Sequence, residues 1–214
     1  MLSQAIERLN RLLPLKARQN KLSESLKTLH QAVIQSLVMR GCPLSRSEIA
    51  EQVGEDKVDT AIARLEHDDL AVLSADRRQI VGAYPVTLEP TQHKLHVSGR
   101  TIYAMCALDA LSVGPMFELP VEIRSRCRVS AESVYIKQDG MHILAAIPPS
   151  VRVGVRWQMP SGDHAAHSLC MEMVFLKDDT TAAVWHDGDL DRHGVFSLEE
   201  AVQFGAGFFR PLLV

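Results

Sequence analysis

The sequence predicts an α+β fold: a helical, winged-helix-like N-terminal domain over residues 1–82, then a domain of mixed or antiparallel β-sheet with flanking helices over residues 83–214. Three observations predict it. Leucines recur at helical spacing through residues 1–39, residues 45–86 follow a helix, helix, hairpin order, and from about residue 83 apolar runs of strand length alternate with polar turns.

The elements follow in order. Leu9, Leu12 and Leu13 share a helical spacing that Pro14 interrupts, and Leu22, Leu26, Leu29, Val33 and Leu37 carry a second helical pattern. The turn GCPLS leads to SRSEIAEQVG, where Ser45 is positioned to cap a helix and Glu48 to complete a capping box. In KVDTAIARLEHDDL, Val58, Ile62 and Leu65 fall on one helical face, and AVLSADRRQIVGAYPV reads as a hairpin around a polar turn. This outline matches a DNA-binding winged helix, but the second helix carries Asp59, Glu66, Asp68 and Asp69 against only Lys57 and Arg64. A phosphate-facing surface needs the opposite sign, so the region reads as a packing domain without a nucleic-acid partner.

Beyond residue 83, KLHV reads as a strand and RTIYAMCALDALSVGP (100–115) as a helix-like segment. RCRVSAESVYIK and MHILAAIP form a hairpin around QDG, and VRVGVRWQM and HSLCMEMVFLK are further strands joined by the loop PSGDHAA. TAAVWH reads as another short strand. SLEEAVQFGAGFF closes the chain as a helix in which Ser197 and Glu200 form a capping box and the glycines mark the end.

The 214 residues are 46% hydrophobic, enough for a substantial core, and carry a net charge of −3, which draws the molecule neither to nucleic acid nor to an acidic membrane surface. No apolar run approaches the ~20 residues of a membrane span. The stretch MLSQAIERLNRLLPLKARQNK lacks the apolar core of a secretory signal, and Glu7 argues against a transit peptide. The expected location is the cytoplasm. Four cysteines, Cys42, Cys106, Cys127 and Cys170, include no C-x-x-C pair, which argues against a disulfide framework or a structural zinc site.

A free cysteine is ordinarily a small buried hydrophobe. Cys106 stands out because Asp109 follows it by three residues. On a continuous helix the two would share a face with Ile102 and Val113, while Leu108 and Leu111 point elsewhere. Apolar surroundings raise the pKa of such a carboxyl and make it a general acid near neutral pH. In SLCMEMVF, strict alternation puts Leu169, Met171, Met173 and Phe175 on a core face and Cys170 on the opposite one. Two thiols meeting in one pocket suit a soft metal ion, although spacing alone does not bring Cys170 to Cys106.

The stretches RTIYAMCALDAL, SRCRVS, HSLCMEMVF and VWHDGDLDRHGVFSLEEAVQFG resemble, in order and spacing, the organomercurial (alkylmercury) lyase family, over roughly residues 40–210 and most densely at YAMCALDAL. The resemblance implies protonolysis of a carbon–mercury bond, releasing a hydrocarbon and leaving mercuric ion on two thiolates. It implies that Cys106 is the first nucleophile and ligand, Cys170 the second ligand and Asp109 the proton relay, all three standing around the mercuric product. No cofactor is implied, mercury being substrate and product. External thiols are needed for turnover, and small thiols or a mercuric reductase are the implied acceptors. No membrane partner is implied. Family members often carry a second cysteine where Met171 follows Cys170, and some carry serine in place of the aspartate; Asp109 puts this chain with the fully equipped members.

Other features are set aside. Cys127 lies among Arg124, Arg126 and Arg128, a basic setting that favours a thiolate, but the resemblance makes it structural. Cys42 sits in a turn. The run from Asp187 imitates a calcium loop at three acidic positions, then offers Arg192 where glycine is needed and Leu198 where a bidentate carboxylate belongs. Two rivals remain. One is a thiol oxidoreductase pairing Cys106 with Cys170, which leaves Asp109 unexplained. The other is a metal sensor docking DNA through residues 40–82.

Overall fold

The computed structural model describes residues 2–161 and 164–214. Helices α1 (Leu2–Leu12) and α2 (Leu15–Gln19) part at Pro14, which has no N–H to continue the α1 ladder. Helix α3 (Glu24–Gln35) starts at the Ser23 cap and runs through a π turn to Gly41, whose left-handed backbone stops it. Helix α4 (Arg46–Val53) carries the expected capping box: Ser45 Oγ accepts the Glu48 N–H at 3.2 Å and the Glu48 carboxylate accepts the Ser45 N–H at 2.7 Å. Helix α5 (Val58–His67) buries Val58, Ile62 and Leu65. The wing follows as β1 (Val72–Leu73) and β2 (Ile80–Ala83), with a second reversal to β3 (Val86–Thr87).

The hairpin of β4 (His93–Val97) and β5 (Arg100–Ala104) leads into helix α6 (Ala107–Phe117), and β6 (Pro120–Arg126), β7 (Ser133–Asp139) and β8 (His142–Ile147) complete a meander. Among the described residues these strands form one eight-stranded antiparallel sheet in the order β1-β2-β3-β5-β4-β6-β7-β8. The wing strands therefore continue the sheet of the rest of the molecule, and the division expected between residues 82 and 83 falls inside β2. A smaller antiparallel sheet, ordered β10-β9-β11, consists of β9 (Arg152–Arg156), β10 (Met173–Leu176) and β11 (His193–Ser197). Helix α7 (Asp179–His186) and helix α8 (Leu198–Phe209) flank β11 in sequence.

Helix α6 is the buried axis, packed against the large sheet and against α8, with apolar residues all round. Two local devices seat it. Gly205 lets α8 approach, since a Cβ there would stand 2.2 Å from Ser112 Oγ. Pro115 inside α6 has no N–H for the Leu111 carbonyl one turn earlier, and the buried Gln138 side chain donates to that carbonyl instead at 3.0 Å.

Several expectations need correction. RTIYA is a strand, not the start of a helix: its β-branched and aromatic residues suit a pleated surface, and Ile102 pairs with Leu95 across β4. TAAVWH is helical, begun by an Asp178–Thr181 capping box that outweighs the apolar run. PVEIRSR is a strand of its own, separated by a turn from SVYIK. The strand expected at SLCMEMVF starts only at Met173, because residues 170–172 form a 3₁₀ turn. The glycines of α8 do not end it; the helix runs through them to Phe209. The expected loop PSGDHAA includes Gly162 and Asp163, which lie outside the described residues.

Candidate active site

Cys106 is the N-cap of α6. Its backbone is extended, and its sulfur accepts the Asp109 N–H at 3.3 Å. The pair is thus made by a strand–turn–helix junction, and Ile102, one strand earlier, does not share its helical face. Cys170 arrives from the 3₁₀ turn before β10 and is buried, whereas its neighbour Met171 is 49% exposed, the reverse of what alternation predicts. The two sulfurs and an Asp109 carboxyl oxygen all lie within 4.8 Å of one another. Cys106 is 0%, Asp109 1% and Cys170 2% exposed. Both Asp109 oxygens lack a hydrogen-bond partner, and the Cys106 thiol faces the Met173 sulfur at 3.7 Å.

Burial governs the protonation of this trio. It pushes Asp109 up to about 7, against the adjacent Cys106, which pulls the other way. Burial also raises Cys106 well above an ordinary thiol, helped by its hydrogen bond with Cys170 and by the Asp109 carboxylate, and the helix N-terminal N–H does not restore it. At Cys170 the hydrogen bond from Cys106 favours the thiolate, but burial and the charges of Asp109 and Asp69 outweigh it and the thiol is raised. The resting site therefore holds two neutral thiols beside a carboxyl that keeps its proton near neutral pH. Two soft ligands and one acid form a set that can grip a thiophilic metal and deliver a proton next to it.

A cleft of about 420 Å³ reaches the Cys170 side of the trio, lined among others by Thr87, His93, Met105, Arg128 and Met171. Burial holds His93 down to about 4, so its ring is neutral, and Ser125 Oγ stands 2.9 Å from its Nδ1. A larger, more open groove of about 930 Å³ lies between α3, α4 and the end of the chain and includes none of the three residues.

The residues set aside in the sequence lie apart from this cluster. Cys127, at the end of β6, accepts the Lys177 N–H at 3.4 Å and pairs its backbone with Phe175; burial opposes ionisation there, but hydrogen bonds from the Ser130, Val129 and Lys177 side hold its pKa below the ordinary value. Cys42 is a half-buried turn residue. In the calcium-like run, the Asp189 carboxylate is taken by Arg192, which donates its Nε at 2.7 Å and its backbone N–H at 3.1 Å. The acids of the wing helix are likewise paired, Asp59 with Arg46, Glu66 with Arg77 and Asp68 with Arg64.

Two residues that sequence reading missed border the site. Asp69 is 6% exposed, and Tyr84 donates to it at 3.2 Å; together they hold the segment leading to Cys170. Asp69 and His164 stand 95 residues apart in sequence, and no local spacing signals their meeting.

Comparison with known proteins bears on this geometry. Residues 86–210 match the sequence model of a family described as alkylmercury lyase. Curated proteins named alkylmercury lyase are similar: one from Bacillus cereus is 26% identical over 189 residues, covering 85% of this chain and 81% of that protein. Another from Pseudomonas putida is 26% identical over 167 residues, covering 76% and 74%. A crystal structure described as the mercury-bound form of MerB2 superposes with a TM-score of 0.79 at 22% identity, covering 94% of this chain and 98% of that one, and shares its mixed helix and antiparallel-sheet fold.

Proposed function

The chain belongs to the alkylmercury lyase family, and from that membership we propose that it cleaves the carbon–mercury bond of alkyl and aryl mercury compounds by protonolysis. The observation that carries the reading is the convergence of two buried thiols and an unpartnered carboxyl within 4.8 Å. In the proposed sequence a substrate R–Hg–X meets the Cys106 thiol, whose sulfur takes the mercury as its proton leaves with X. The Cys170 thiol then becomes the second ligand, and its proton passes to Asp109 as that carboxyl gives up its own. Two thiolates push electron density onto the mercury-bound carbon, which accepts the proton held by Asp109. R–H departs, and mercuric ion remains between Cys106 and Cys170. Every proton is accounted for: the Cys106 proton leaves on X, the Asp109 proton ends on carbon and the Cys170 proton restores the Asp109 acid.

Release follows by thiolate exchange, onto small thiols or the thiols of a mercuric reductase. No cofactor enters the scheme. Four free cysteines suit a reducing compartment, and we place the protein in the cytoplasm, in detoxification of mercury. The self-paired acids of the wing helix support a reading without nucleic acid. Among the described residues no helix is long and apolar enough to cross a membrane.

The decisive test incubates the purified protein with methylmercury and excess thiol and follows methane. A sensor or a thiol oxidoreductase yields none. Cys106→Ser and Cys170→Ser are expected to abolish release, and wild-type turnover by either would remove that residue's role. Asp109→Ala should keep its mercuric ion but lose roughly 10²–10⁴-fold in hydrocarbon release.

A further inference from the structure

We propose that Asp69 is a positioning residue: its carboxylate holds the turn that carries Cys170 where that sulfur can share one ion with Cys106, and through Arg18 it makes the N-terminal helices part of the site. The inference rests on the two-thiolate reading above.

Oδ1 of Asp69 accepts from the Tyr84 hydroxyl at 3.2 Å and faces His164 Nδ1 at 3.1 Å, while Oδ2 accepts from Arg18 at 3.0 Å and from the Ala165 N–H at 3.3 Å. A carboxylate has about four acceptor positions, and here all are used. Since it only accepts, His164 must carry its proton on Nδ1. The Tyr84 hydroxyl gives its hydrogen to Asp69 and accepts the Ala166 N–H at 2.8 Å, so it extends the clamp by one residue. From this anchor the chain runs through successive turn hydrogen bonds, Ser168 to Ala165, Met171 to Ser168 and Glu172 to Leu169, each at 3.1 Å. It then joins β10, where Met173 pairs with Val155. Cys170 is thus suspended between a sheet and the Asp69 clamp. Arg18 comes from α2, Asp69 follows α5 and Tyr84 lies between β2 and β3, so one buried carboxylate ties three distant segments to the second ligand.

Asp69→Asn keeps the shape but turns one acceptor into a donor that faces two donors whichever way the amide is flipped. Tyr84→Phe removes the hydroxyl alone. In the full-length protein, one equivalent of mercuric chloride is titrated with dithiothreitol, hydrocarbon release is measured at saturating organomercurial, and the thermal midpoint is recorded. A misplaced second sulfur should release mercury at roughly tenfold less dithiol and lower kcat by roughly 10²-fold in Asp69→Asn, with KM little changed. Tyr84→Phe should move both readings the same way by less. If both variants, assayed well below their midpoints, lose only thermal stability, the clamp is structural and the proposal is overturned. Should Asp69→Asn fail to fold, Tyr84→Phe and Arg18→Gln decide by the same readings. A wild type that releases no hydrocarbon would remove the lyase reading, while mercury retention would still decide the clamp.

Discussion

An aspartic acid in water gives up its proton near pH 3.8, whereas Asp109, buried with both oxygens unpartnered, keeps it to about pH 7. The folded protein thus binds this proton more tightly than the unfolded chain. Stability drawn from the group is complete below pH 3.8, declines as pH rises from there to about 7, and is flat above. Over that window the decline amounts to several kcal/mol, on the order of 4, at 1.36 kcal/mol per pH unit. Asn cannot ionise, so Asp109→Asn should gain on the wild type by that order between pH 4 and pH 8, whatever its own constant cost of burial. Urea unfolding of both proteins across the range measures it, and a pH-independent difference would show that the carboxyl is not held protonated. The sign matters for catalysis: the acid form, which the fold favours, is the form that would protonate carbon in the proposed reaction, so hydrocarbon release should fall as pH rises past about 7.

Among the elements, α6 bears the most on the site, because it carries Asp109 and is capped by Cys106. Its irregular C-terminal half is repaired from outside: Gln138 donates to the Leu111 carbonyl at 3.0 Å and to Gly140 at 2.8 Å. Gln138→Leu would bury both carbonyls without that donor and should destabilise the fold by about 1–3 kcal/mol, read as a lower urea midpoint with unchanged slope. An unchanged midpoint would mean another group takes over the Leu111 carbonyl. How far elements were legible follows from how local their signals are. The Ser45–Glu48 and Ser197–Glu200 capping boxes lie within one turn and read directly from sequence. The start of α6 did not, because its cap is a cysteine rather than one of the usual oxygen caps. TAAVWH is too short for periodicity to separate strand from helix. Around Cys170 the apolar alternation is coincidental, since in a 3₁₀ turn Leu169 and Cys170 are both buried. The three candidate site residues came from thiol and carboxyl chemistry joined to a family likeness; the Asp69 and Tyr84 contacts bridge segments that nothing local relates.

At the scale of the molecule, the N-terminal helices are bound into the rest rather than appended to it. Gln19 donates to the Leu212 carbonyl at 2.7 Å, Lys16 to Val214 at 2.6 Å and Arg8 to Asp191 at 3.0 Å. His30, which burial holds down to about 4, spans the gap between Gln19 and the Leu70 carbonyl as a neutral ring. Leu9, Leu13, Leu29 and Ile34 share one continuous core with Leu108, Ile123 and Phe208, and the large sheet crosses residue 83 without a break. Such a core should unfold as a unit. The sequence supplies a way to see it: both tryptophans, Trp157 and Trp185, lie beyond residue 83, whereas α1 to α5 all precede it. Tryptophan fluorescence therefore reports the second half, and far-UV circular dichroism weights the first. In urea the two signals should trace one transition with one midpoint. Two separated midpoints would mean that the helices bearing Arg18 can melt while the thiols stay in place, and the candidate two-thiol site would then owe nothing to the chain before residue 40.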